Sequence, residues 1–158
     1  MLEDADSMKG VPAPPTPLTE HTQQFVELVK ARARAEGRNT ASRADWLLTL
    51  LSVGHPYLSS YLIGEINLDR AELDSATRAA EHEDDPWLAE LVPDFLSAEA
   101  EPIAREIGHT YIGTEHILLV FTRSPGRLGD RLRNGGLRWD AIRAAFDAIE
   151  WVRPSEGG

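Results

Sequence analysis

Two stretches of this chain read alike at a fixed separation, and that repeat limits the fold more than any other feature. Gly37 to Leu48 reads Gly-Arg-Asn-Thr-Ala-Ser-Arg-Ala-Asp-Trp-Leu-Leu, and Gly108 to Leu119 reads Gly-His-Thr-Tyr-Ile-Gly-Thr-Glu-His-Ile-Leu-Leu, an offset of 71. The match continues with Leu58 and Leu62 against Leu128 and Leu132 at offset 70, and Leu68 and Leu73 against Leu137 and Ile142 at offset 69. Each copy has the texture of a helix, a glycine turn, an apolar helix, a shorter helix and an amphipathic helix. A unit that cannot bury its apolar face alone packs against its twin, so the repeat predicts two copies sharing one core as a pseudo-twofold pair. A length of 158 residues fits one such domain.

Local signals place the helices. Thr19 is a predicted cap with Glu20 in the first turn, and Phe25, Val26, Val29 and Ala33 follow at helical spacing up to Gly37. Ser42 to Asp45 is a short capping-box variant ahead of Trp46, Leu47, Leu48, Leu50 and Leu51, a helix apolar on most sides and therefore central. Pro56 suits a first helical position, and Asp69 to Glu72 opens a fourth helix. No period-2 strand pattern is evident. Pro102 falls inside the predicted fifth helix, where a proline costs about 3 kcal/mol, so a kink or break is expected near residues 98–102. Residues 1–18, with four prolines between Val11 and Pro17, read as a proline-rich tail. Residues 19–80 read as the first repeat, 81–90 as an acidic linker, 91–152 as the second repeat and 153–158 as a second tail.

Composition narrows the function. With no cysteine there is no disulfide framework, thiolate zinc site or cysteine nucleophile. A net charge of −10 argues against nucleic acid and anionic membranes, both of which select for Lys and Arg. Between residues 79 and 104 there are eight acids and no Lys or Arg, which reads as a solvated connection between the halves or as a face for a basic partner. No run approaches the ~18–20 apolar residues of a membrane span. The acidic start, Met1 to Asp6, has no apolar signal core, so a cytoplasmic protein is expected.

The Gly108–Leu119 segment resembles the signature of the Clp repeat, the amino-terminal domain of ClpC-type AAA+ unfoldases, and the doubled helical layout extends the resemblance over roughly residues 18–152. The resemblance implies an all-α fold of eight helices in two four-helix repeats. It also implies a role in receiving substrates and adaptor proteins for an unfoldase–protease machine. The chain has no G-x-x-x-x-G-K-[ST] phosphate loop, so it looks like a solitary Clp repeat domain without the motor. The expected protein is thus a non-enzymatic adaptor or substrate-binding module without a cofactor. Its partners would be proteins or peptides of the Clp protease system.

Gly113-Thr114-Glu115-His116 has two readings. Structurally, Thr114 caps a helix and Glu115 complements the helix dipole. By resemblance to ClpC-like domains, Thr114 and Glu115 belong to a pocket for phosphorylated arginine, a degradation tag. A carboxylate can pair with guanidinium N–H groups while backbone amides hold the phosphate. The matching positions in the first repeat are Arg43 and Ala44, so only the second repeat offers the carboxylate. His116 is matched by Asp45, which predicts no chemical role common to both copies. Zinc held by His109, Glu115 and His116 is not expected, because adjacent helical side chains diverge by about 100° and no H-E-x-x-H pattern is present. Arg127 and Arg131, four apart on one face, are candidate contacts to peptide or phosphate.

Two alternatives accompany the adaptor reading. One is a decoy for the cyclic peptide antibiotics that target ClpC domains, in which Leu18 stands at the position of the family's aromatic. The other is a small helical enzyme, for which no G-x-S-x-G elbow is present. The readings predict different sites. Apolar-peptide or antibiotic capture needs a hydrophobic groove between the repeats. Tag binding needs a polar pocket at Glu115, and an enzyme needs a deep pocket of converging titratable groups.

Overall fold

A computed structural model describes residues 17–54, 57–66 and 68–152. Both predicted tails, apart from Pro17 and Leu18, lie outside the described residues, as does Pro56. The fold is all-α. Nine α-helices form among the described residues: α1 Glu20–Ala35, α2 Arg43–Ser52, α3 Leu58–Glu65, α4 Arg70–His82, α5 Pro86–Ala89, α6 Glu101–Glu106, α7 Thr114–Phe121, α8 Gly126–Asn134 and α9 Trp139–Val152. Among the described residues, extended backbone pairs at two isolated bridges, Leu18 with Ile112 and Ser42 with Leu91.

The count exceeds the expected eight because a helical turn forms inside the acidic linker. Asp85 accepts N–H bonds from Trp87 and Leu88 at 3.0 and 3.1 Å, and Pro86 fills the first position of α5, which turns Leu88 into the core. The chain then meets Pro102. A π-helical segment, Leu96–Ala100, runs directly into α6, so Pro102 falls in the first turn of α6, where its missing N–H is tolerated. The kink expected near 98–102 takes this form.

The predicted caps at Thr19, Ser42 and Asp69 all accept the N–H of the third following residue. α2 and α7 are the central helices. Arg43 to Leu51 are all buried, and so is every residue of α7. Between them runs an aromatic stack. Trp46 lies against Phe95 at a centroid distance of 4.4 Å, and Phe95 against Phe121 at 5.9 Å. Pairs matched across the repeat are buried alike: Leu62 with Leu132, Leu68 with Leu137 and Leu73 with Ile142.

The eight acids between residues 79 and 104 are not all solvated. Arg43 crosses from α2 to hold two of them, donating to Glu99 at 2.5 Å and Glu90 at 2.7 Å. It also donates to the Trp87 carbonyl at 2.9 Å and lies over the Trp87 ring.

Candidate functional site

The two central helices begin alike. Gly37 and Gly108 take left-handed φ values of 78° and 79° and end the preceding helices, and Arg38 and His109 donate backbone N–H groups to Ala33 and Ala104. Five residues beyond each glycine comes the N-cap, Ser42 or Gly113. In both copies the side chain three residues on reaches back to the N-cap amide: Ser42 N–H donates to Asp45 Oδ2 and Gly113 N–H donates to His116 Nδ1, each at 2.8 Å. The residue after the glycine then braces that side chain, Arg38 against Asp45 at 2.5 Å and His109 against His116 at 2.8 Å. Asp45 and His116 thus share one structural role with different chemistry.

Two further site expectations are corrected here. Thr114 is not the cap; Gly113 is, and Thr114 is the first helical residue. Its hydroxyl accepts the N–H of Ser59 at 3.1 Å, tying α7 to α3. The divergence of adjacent helical side chains also does not keep His109, Glu115 and His116 apart, since their ligand atoms lie within 4.8 Å of one another. His109 comes from the turn before the helix, His116 reaches back toward the N-cap, and Glu115 folds over Gly113, where a Cβ would run into its carboxylate.

The donor set does not suit a cation. His116 Nδ1 accepts from Gly113, so Nε2 carries the ring proton and donates to His109 Nδ1. A metal on Nε2 would require lone pairs on both ring nitrogens, whereas ligating histidines normally donate from the second nitrogen. His116 is fully buried, and that burial, with His109 and Arg143 adding to it, lowers its pKa to about 3. It is neutral at pH 7, so its 3.9 Å approach to Glu115 is not an ion pair. In the first copy, burial pushes the Asp45 carboxyl up, but the bonds from Arg38 and Ser42 outweigh it and hold the group below its ordinary value.

Thr114 and Glu115 are each only 2% exposed, and the Tyr111 hydroxyl donates to Glu115 Oε2 at 2.9 Å while its ring stacks on His109. Of the two candidate arginines, Arg127 is exposed at the start of α8, and Arg131 donates to Glu72 of α4 at 3.0 Å. Arg131 is thus held by α4, while Thr114 is held by Ser59 and Glu115 by Tyr111.

A groove of about 640 Å³ lies elsewhere, between α1 and the segment from Val92 to Glu101. Val26, Val29, Trp46, Phe95 and Leu96 give it an apolar wall, and Pro17, Leu18 and Ile112 close one side. Trp46 is 5% exposed, and its buried indole Nε1 has no acceptor among the described residues. The sequence places Trp46 on a central, largely apolar helix and gives no local sign that it lines a groove.

No family model matches the chain. No curated protein matches it either. Among solved structures, a chain described as "Preliminary structural investigations of a malarial protein secretion system" superposes with a TM-score of 0.60 at 21% identity, covering 86% of this chain and 96% of that one. That likeness is one of fold.

Proposed function

We propose that this chain is a binding module of the Clp repeat type that captures polypeptides, substrates or adaptors, for a Clp unfoldase–protease, with the α1 groove as its capture surface. The observation that carries the reading is the groove. It is apolar, sits where the two repeats meet, and falls within the roughly 300–1,000 Å³ of ligand sites. The matched helix starts at offset 71 support two Clp repeats related by a pseudo-twofold axis. The decoy reading uses the same groove, with a cyclic peptide as occupant and Leu18 in its wall.

Tag binding at Thr114 and Glu115 is the weaker reading, because Tyr111 must swing off Glu115 before a guanidinium can reach it. Fluorescence titration with a labelled unfolded polypeptide tests the capture reading. Val26→Asp and Leu96→Asp, both on partly exposed positions, are expected to weaken binding tenfold or more with an unchanged far-ultraviolet spectrum. Undiminished binding by both variants overturns it. Calorimetry with phosphoarginine tests the other reading: a single site lost in Glu115→Ala would restore the tag pocket to first place.

A further inference from the structure

The described chain begins in the wall of the groove. Pro17 and Leu18 line it, and the backbone there is pinned on both sides: Ile112 N–H donates to the Pro17 carbonyl at 2.9 Å and Thr19 N–H donates to the Ile112 carbonyl at 3.1 Å. Whatever precedes Pro17 therefore starts at the groove. What precedes it is Val11-Pro12-Ala13-Pro14-Pro15-Thr16.

We propose that this proline-rich segment is the resident occupant of the α1 groove, docking in cis as an extended peptide that outside polypeptides must displace. The proposal rests on the capture reading of the groove. Six residues in a polyproline II conformation span about 19 Å at ~3.1 Å per residue, enough to cross a site of this volume. Pro12, Pro14 and Pro15 carry no backbone N–H, so burying them against Val26, Val29 and Leu96 strands no donor, while their carbonyls stay available as acceptors. The groove offers an apolar lining to which Trp46 and Phe95 contribute aromatic surface. Aromatic-lined grooves recognise polyproline segments in this manner, because the peptide is already extended and loses little entropy. The tether adds to this. A short linker gives an effective concentration of order mM, so a weak contact is still largely formed.

The full chain suits a direct test because it has no cysteine. Ala13→Cys carrying a nitroxide label should broaden the methyl resonances of Val26, Val29, Val92 and Leu96 selectively. The combined variant Pro12→Ser, Pro14→Ser, Pro15→Ser, labelled at the same site, should lose that selectivity. The unlabelled triple variant should bind a synthetic peptide of residues 11–17 about tenfold more tightly than the wild type. Broadening without preference for the groove overturns the proposal. So does broadening seen only when labelled and isotope-enriched molecules are different copies, which would make the occupant a second chain. Equal peptide affinity in wild type and triple variant overturns the resident role but leaves groove capture standing, whereas loss of unfolded-polypeptide binding in the preceding titration strikes the capture reading itself.

Discussion

The starts of α2 and α7 do the same structural job with opposite chemistry. In the first half the N-cap amide is held by a carboxylate, Asp45, braced by a guanidinium, Arg38. In the second it is held by a neutral imidazole, His116, braced by another imidazole, His109. The residue that follows each N-cap crosses to the other half, Arg43 to Glu99 by charge and Thr114 to Ser59 by one hydrogen bond. A backbone position that requires an acceptor is indifferent to whether the acceptor is ionised. Its response to pH, salt and truncation is not.

The largest expected effect follows from the Arg43 crossing. Arg43→Met keeps the apolar contact with Trp87 but leaves Glu99, a largely covered carboxylate, without its guanidinium. Removing one partner of a buried pair costs about 3–5 kcal/mol, and the partial exposure of this one brings the expectation to about 2–3 kcal/mol in urea unfolding. Thr114→Val removes a neutral acceptor from a buried N–H and should cost about 1 kcal/mol. Equal losses in the two variants would break the contrast between the halves.

Acid should separate the halves next. His116 has a folded-state pKa of about 3 against an ordinary 6.5, so folding favours its neutral form. Its contribution is complete above pH 6.5 and is lost as the pH falls from there toward 3, amounting to roughly 3 kcal/mol by pH 4. Tyr111, Glu115, His109 and Arg143 surround the ring. Asp45 is held below 3.8, so its contribution is present above that value and disappears only as the pH drops further. Urea midpoints across pH 3 to 8 should fall in two stages. His116→Asn should flatten the upper stage and Asp45→Asn the lower, and a single stage in the wild type would contradict the assignment.

How much of this could be read from the chain depends on distance along it. Caps at Thr19, Ser42 and Asp69 are legible because the oxygen and the amide it accepts lie three residues apart. The start of α7 misleads because a hydroxyl residue, Thr114, follows the true cap, and a glycine cap has no side chain to announce it. Matching Gly113 to Ser42 at offset 71 identifies it, since Asp45 and His116 then fall together. Arg43 and Glu99 are 56 residues apart, and only packing brings them together. The groove is likewise unreadable locally: Trp46 and Phe95 look like core residues, and only packing of segments far apart in the chain makes them also line a cleft.

The smallest effect asks whether the ionic start is softer than the neutral one at constant pH. Arg38 is partly exposed and also pairs with Glu36 at the surface, so salt screens the outer side of the guanidinium, while the Asp45 carboxylate stays covered. Exposed ion pairs contribute about 0.2–1 kcal/mol and weaken at high ionic strength. His116, with its pKa lowered to about 3, is neutral at pH 7.5. The Ser42 and Gly113 amides report on the two networks directly, because each donates to the side chain in question. Raising sodium chloride from 0.05 to about 1 M should therefore speed hydrogen exchange at Ser42 about twofold relative to Gly113, in line with the loss of a few tenths of a kcal/mol. If both amides respond equally, the brace on Asp45 acts through the fixed geometry of the Gly37 turn, and the difference in charge between the halves has no bearing on how firmly α2 and α7 begin.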